Sequence, residues 1–358
     1  MCGKRGWLNP RRSRAVVASV FDWVRGRWGP SRRTSSSSRI DLMWGSPMWR
    51  NQTVVTVIFL VGFQGSQLFR NVLFLLFLVV FCTTICGNLL IIVLVSTSRI
   101  LHTPMYFFIS QLSTCDILLS LNIVPNLFHL LLNNGANIRF ADCFTQFYFF
   151  CALEVFECVL LSLMSYDRYV AICNPLRYTS IMTSSYCVKM ISFCYFVAFL
   201  GSFIVAVTLA NLRFCGAKIN HFFCDFVPLL ELVCSFGSIV YFEIYGLGFP
   251  IIMTATTIIA VSYTFIVLAV LRISTSTGRQ KAFFTCSSHL IVVSIFYTTL
   301  VTVYIILSKL QIATISKVGP LLYTVFTPFI NPIIYSFRNK DIKKAAQETF
   351  HKQDFQFS

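Results

Sequence analysis

Met164-Ser165-Tyr166-Asp167-Arg168-Tyr169-Val170-Ala171-Ile172-Cys173-Asn174-Pro175-Leu176 closes an apolar run that begins near residue 142. At its centre, Asp167-Arg168-Tyr169 is a charged triplet at the inner end of a lipid-length helix, a natural latch. Asn331-Pro332-Ile333-Ile334-Tyr335 closes another apolar run. A Pro-broken helix that ends in Tyr is a natural hinge. Two such devices on separate helices point to a protein that changes shape across a membrane rather than one that performs covalent chemistry.

Composition agrees. The 358 residues are 56% hydrophobic and 12% charged, with a mean hydropathy of +0.73, whereas soluble domains carry about 25% charged residues. Lipid is the simpler solvent for so much apolar surface. The 14 Cys are scattered, several in apolar runs, where they read as small packing residues rather than ligands. The net charge of +16 invites a nucleic-acid reading, but its position argues against one. Residues 1–47 carry ten Lys/Arg against two Asp, half of the net charge, and all five Trp precede residue 50.

Spanning a bilayer takes about 20 apolar residues. Seven runs qualify, at roughly 72–96, 104–131, 142–167, 187–211, 238–270, 284–307 and 316–337. The expected fold is an all-α membrane protein, a seven-transmembrane-helix bundle with a short amphipathic C-terminal helix. Residues 1–47 form a basic, Trp-containing extension, 48–71 an extracellular segment, 72–337 the bundle, and 338–358 the cytoplasmic helix and tail. With the N-terminus outside, inner loops carry twelve Lys/Arg and outer loops seven, as the positive-inside rule asks. The sequon Asn51-Gln52-Thr53 precedes the first span, where a sugar is attached in the secretory lumen. The basic head runs against this orientation. The expectation is that the working protein starts later, at Met43 or Met48, rather than carrying a disordered basic tail.

Acids inside spans are expensive and functional by default. Asp116 lies in the second span and Glu157 in the third, open to two readings: a shared cation or polar switch, or protonated acids satisfied by neighbours. Glu154, three residues before Glu157, shares its helical face. A paired-carboxylate hydrolase is rejected because both acids lie on a lipid-length span. Cys143, Cys215, Cys224 and Cys234 flank the outer loops, and sequence alone allows three pairings. A metal site with His221 is not expected, since oxidised Cys are poor ligands.

The run 164–176 resembles the olfactory receptor family of rhodopsin-like seven-helix receptors. So do Leu101-His102-Thr103-Pro104-Met105-Tyr106, Lys281-Ala282-Phe283-Phe284-Thr285-Cys286-Ser287-Ser288-His289, and Pro328–Tyr335 followed by Ser336-Phe337-Arg338-Asn339. His221-Phe222-Phe223-Cys224-Asp225 is similar to the tetrapod-type class. The resemblance covers roughly residues 48–350. It implies an activation switch of Asp167, Arg168, Tyr169, Tyr263, Asn331, Pro332 and Tyr335, with Arg168 meeting a G protein when released. It also implies a sodium-linked polar site at Asp116 and Glu157, and the disulfides Cys143–Cys224 and Cys215–Cys234. Several positions depart from the family pattern: Ser165 for Ala, Phe284 for Ser, Thr298 for Gly, Tyr195 for the helix-4 Trp, and a Cys215–Cys224 interval one residue short.

The function that follows is an odorant receptor. It binds a small volatile and activates the olfactory stimulatory G protein, raising cyclic AMP at the plasma membrane. Expected ligand contacts are Phe150, Cys151, Glu154 and Val155 on helix 3. Tyr297, Leu300, Val301 and Tyr304 share one face of helix 6, and Thr324 lies on helix 7. No catalytic residue, cofactor beyond a possible sodium ion, or nucleic-acid partner is expected. The competing class, a small-molecule transporter, predicts repeated halves and charged residues along a path, and the sequence holds neither.

Overall fold

The computed structural model describes residues 55–234, 244–273, 275–302 and 315–357. Seven helices follow one another in a bundle: α1 Gln67–Thr97, α2 Pro104–Asn133, α3 Phe140–Cys173, α4 Ser184–Ala210, α5 Phe249–Leu271, α6 Ser276–Val301, and α7. The last is composite, with Ile315–Leu321 and Thr327–Arg338 joined by a π-helical turn over Leu322–Phe326. An eighth helix, α8 Lys340–Phe357, turns off its end. Among the described residues, five helices are long and apolar enough to cross a membrane, and Cys286–Leu300 adds a shorter apolar stretch in α6.

Local chemistry sets the boundaries. Ser66 Oγ accepts from Phe69 N at 3.3 Å to start α1, and Thr183 Oγ1 accepts from Tyr186 N at 3.3 Å to start α4. These side chains take up backbone donors that a first turn leaves orphaned. Pro104 occupies the first turn of α2, where no N–H is needed. That helix stops at Asn134 (φ 53°) and Gly135 (φ 113°), a left-handed exit that suits Asn and Gly. A Cβ on Gly135 would also meet the Phe59 ring at 2.7 Å.

α3 is the central helix, packed against α2, α4 and α5. Its buried face includes Phe147, Phe150, Leu153, Phe156 and Leu160. α1 instead leaves Leu68, Val72, Leu75, Leu76 and Val79 exposed, the stripe a lipid-facing helix shows.

One feature departs from the all-helical expectation. Residues 55–71 hold a strand, β1 Val57–Leu60, at the centre of a three-stranded sheet. It pairs antiparallel with β2 Ala136–Arg139 and parallel with β3 Lys218–Ile219. The β-branched run Val54–Ile58 favours this. With α3 beginning immediately after β2, the sheet closes one end of the bundle, called here the sheet end. Asp167-Arg168-Tyr169 lies at the other, the latch end. Residues 1–47 and the first six residues of the expected fifth span fall outside the described residues.

Candidate functional site

At the latch end, Asp167 and Arg168 are buried and form an ion pair, with Arg168 Nε 2.9 Å from Asp167 Oδ2 and Nη2 donating to the same oxygen. Tyr178, on a short helix after α3, donates to the other oxygen, Oδ1, at 2.9 Å. Burial, aided by the Asp167 charge, holds the Tyr178 phenol above its usual range, so it stays a donor. Breaking a buried pair leaves an uncompensated charge, at a cost of about 3–5 kcal/mol. Met105, Phe108, Met164 and His289 line one crevice with this pair. Tyr263 on α5 bonds His289 Nδ1 on α6 at 2.5 Å, and the Tyr169 ring lies 5.7 Å from Phe265. The latch therefore touches α2, α3, α5 and α6.

Mid-bundle, Asn331 Nδ2 donates to Asp116 Oδ1 and Oδ2 at 3.2 and 3.1 Å, tying α7 to α2. Both carboxylate oxygens of Glu157 are buried and have no hydrogen-bond partner. Asn88 Nδ2 on α1 donates to Pro328 O at 3.1 Å, a carbonyl in the Pro-interrupted helix. Pro332 packs so close to α1 that a Cβ on Gly87 would lie 3.2 Å from its own Cβ. Tyr335 is fully buried, and its hydroxyl has no partner.

Toward the sheet end, Phe150 is buried against Phe223 (4.9 Å) and Tyr323 (6.0 Å). Glu154 is half-buried, and its Oε1 has no partner. Cys151, Val155, Tyr297 and Leu300 are partly buried, and Tyr297 OH lies 3.3 Å from Cys158 Sγ, joining α6 to α3. Thr324 is fully buried and donates to Pro320 O at 2.8 Å within its own helix. The backbone of Val301 is described but its side chain is not, and Tyr304 and Asn51 lie outside the described residues.

After α4, the chain around Phe223 and Asp225 packs onto Phe150 and Tyr323. Disulfides join Cys143 to Cys224 and Cys215 to Cys234. Asp225 follows directly. It is buried, accepts from Phe226 N at 2.7 Å, and takes a hydrogen bond from Tyr323 OH at 3.3 Å. Burial pushes its carboxyl up to about 6.

Three working residues escape a reading of the sequence alone. Tyr178 braces the latch. Tyr106 donates to Asn339 Oδ1 (3.0 Å) and Asp341 Oδ2 (2.8 Å), pinning the α7–α8 corner. Lys317, buried at the head of α7, donates to Gly62 O at 2.7 Å. Only Tyr106 carried a signal, as the last residue of the 101–106 motif.

The profile of the olfactory receptor family matches residues 76–353. Olfactory receptor 5G3 of Homo sapiens is 42% identical over 307 residues, covering 86% of this chain and 98% of its own length. Olfactory receptor 11L1 of Homo sapiens is 39% identical over 305 residues, covering 85% and 95%. Olfactory receptor 8A1 of Mus musculus is 40% identical over 306 residues, covering 85% and 99%. The crystal structure of squid rhodopsin shares the fold, with a TM-score of 0.61 at 16% identity, over 80% of this chain and 87% of that one.

Proposed function

Since the chain belongs to the olfactory receptor family, we propose that it binds a small volatile odorant within the bundle and activates the olfactory stimulatory G protein, raising cyclic AMP. It is a multi-pass membrane protein and a signalling receptor, not an enzyme. In the proposed orientation the sheet end faces outside and the latch end meets the G protein at the plasma membrane.

The observation that carries this reading is the buried Asp167–Arg168 pair. Arg168 contributes a cation sealed by one carboxylate and shares its crevice with residues of α2 and α6. Moving α6 away would free the guanidinium for a partner. An odorant shifts that equilibrium only by binding the open arrangement more tightly. Phe150, Cys151, Glu154, Val155, Tyr297, Leu300, Val301, Tyr304 and Thr324 form the proposed ligand-contact set, apolar with a few polar groups as small-molecule sites are. Tyr169, Tyr263, Asn331, Pro332 and Tyr335 relay the movement. The orphaned oxygens of Glu157 beside Asp116 fit a hard cation such as sodium, which takes oxygen ligands. Bound there, the ion would offset one of the two carboxylate charges and steady the resting bundle.

A panel of chemically diverse volatiles, applied to cells carrying the receptor and a cyclic AMP reporter, tests this reading. A dose-dependent rise that Arg168→Ala abolishes at normal surface level supports it. A response that survives that substitution overturns the role given to the latch.

A further inference from the structure

Glu154 and Asp225 reach the same region from different parts of the chain. Asp225 lies level with Phe147 and Phe150 of α3, since the rings of Phe147 and Phe226 are 6.2 Å apart and Tyr323 contacts both Phe150 and Asp225. Glu154 is one turn further along α3, within electrostatic reach of Asp225. Cys151 lies between them and feels both charges. Glu154 Oε1 is sealed from solvent without a donor. Among the described residues, the ion pairs are Arg139–Asp142, Arg168–Asp167 and Lys344–Glu348, so neither Glu154 nor Asp225 has a cation.

Two acids in a low-dielectric site, with Glu157 a turn below, repel one another and call for a positive charge or protons. Burial pushes the Asp225 carboxyl up to about 6, still below neutral pH. Phe150, Phe223 and Tyr323 are the aromatic neighbours of the two acids, and ring faces attract an organic cation. A transition-metal ion fits poorly, because no group of three or more His, Cys, Asp or Glu placed to hold one occurs among the described residues. A neutral alcohol would give Glu154 one hydrogen bond and leave the charge uncompensated. An alkylammonium ion answers both needs, with donors for the carboxylates and an apolar body for the rings.

We propose that the ligand of this receptor is a small protonated amine, its ammonium held between Glu154 and Asp225 and its apolar body packed on Phe150 and Phe223. The assignment rests on the receptor reading above and names the ligand class for that site.

The test uses the full-length receptor in cells with a cyclic AMP reporter and matched pairs differing in one group, such as 2-phenylethylamine against 2-phenylethanol, with alkyl pairs alongside. Surface protein is measured for every variant. The wild type is expected to answer amines at lower concentration than their alcohols. Glu154→Gln and Asp225→Asn should each raise the half-maximal amine concentration by about tenfold or more, as loss of a charge-assisted hydrogen bond does, and shift that of the matched alcohol by clearly less. Asn still caps the following helix, so the second variant keeps the local fold. If it fails to reach the surface, Glu154→Gln alone decides. Alcohols or carbonyls as potent as their amines, or amine potency unmoved by Glu154→Gln, would overturn the amine assignment and leave the receptor reading standing. A surface-expressed wild type silent to every compound would count against both.

Discussion

Tyr178 shows how much rests on one hydroxyl at the latch. Asp167 accepts two bonds from Arg168 on one oxygen and one from Tyr178 on the other, so the acid is held by two residues. Tyr178→Phe removes one brace and leaves the ion pair. It should raise ligand-free cyclic AMP by roughly twofold to tenfold, the range of a single hydrogen bond, in reporter cells matched for surface protein. Unchanged basal signalling would remove Tyr178 from the resting-state lock. Asp225 allows a different test at the same scale. Its folded value of about 6 lies above the ordinary 3.8 because burial disfavours the charge. The folded protein therefore binds this proton more tightly than the unfolded chain. The stabilisation is fully present below about pH 4 and is lost as pH rises through about 6. Lowering pH from 7 to 5 should stabilise the purified receptor by about 1 kcal/mol through this group. Asp225→Asn should remove that step from thermal unfolding measured at the two pH values. The sequence made Asp167 and Arg168 legible as adjacent charges in an apolar run. Tyr178 was not legible, because it reaches Asp167 only through the turn at Asn174–Arg177.

Elements were easier to read than the contacts between them. Runs of about 20 apolar residues force helices wherever lipid offers backbone groups no partner, so seven spans could be placed from composition alone. What composition does not encode is the close approach of α1 to α7. Gly87 reads as an ordinary small residue in an apolar run, yet a Cβ there would lie 3.2 Å from Pro332 Cβ and 3.3 Å from its Cγ. Small residues let membrane helices pack this tightly. Gly87→Val should therefore push α7 outward and cost about 1–3 kcal/mol, as overpacking does, read as a lower unfolding temperature in detergent or nanodiscs. Asn331→Ala acts on the same helix by another route. It takes away both hydrogen bonds that Asn331 Nδ2 donates to Asp116 and leaves a buried acid unsatisfied, at about 1–3 kcal/mol. If Gly87→Val unfolds at the wild-type temperature, the α1–α7 contact is not the tight one described. The sheet was missed for a related reason. Val57–Leu60 is only four residues long, and its partners lie about 80 and 160 residues away in sequence, beyond what local periodicity reports.

At the scale of the whole molecule, the chain before α1 divides into parts with opposite expected importance. Residues 1–47 carry the basic charge and precede the family match, which begins at residue 76. The strand β1 lies between that head and the bundle. It is the central strand of the sheet, and Gly62 just after it accepts from buried Lys317 at 2.7 Å while its own N–H donates to His221 O at 3.1 Å. Removing it would leave β2 and β3 unpaired with each other and strip the buried Lys317 ammonium of the Gly62 carbonyl, a group whose desolvation then goes uncompensated. A truncation series separates the two parts. Deleting residues 1–47 should preserve or raise surface expression, since a basic head opposes an outside N-terminus. Deleting 1–54 also removes the Asn51-Gln52-Thr53 sequon and serves as the reference for the longer cut. Deleting 1–62 should lower surface protein well below the 1–54 deletion, because only that cut takes away the strand and the Lys317 acceptor. Flow cytometry of intact cells, using a tag on each new N-terminus, reads all three. Equal surface levels for the 1–54 and 1–62 deletions would mean that the bundle closes without its sheet, and a loss already complete at 1–47 would make the basic head part of the working receptor.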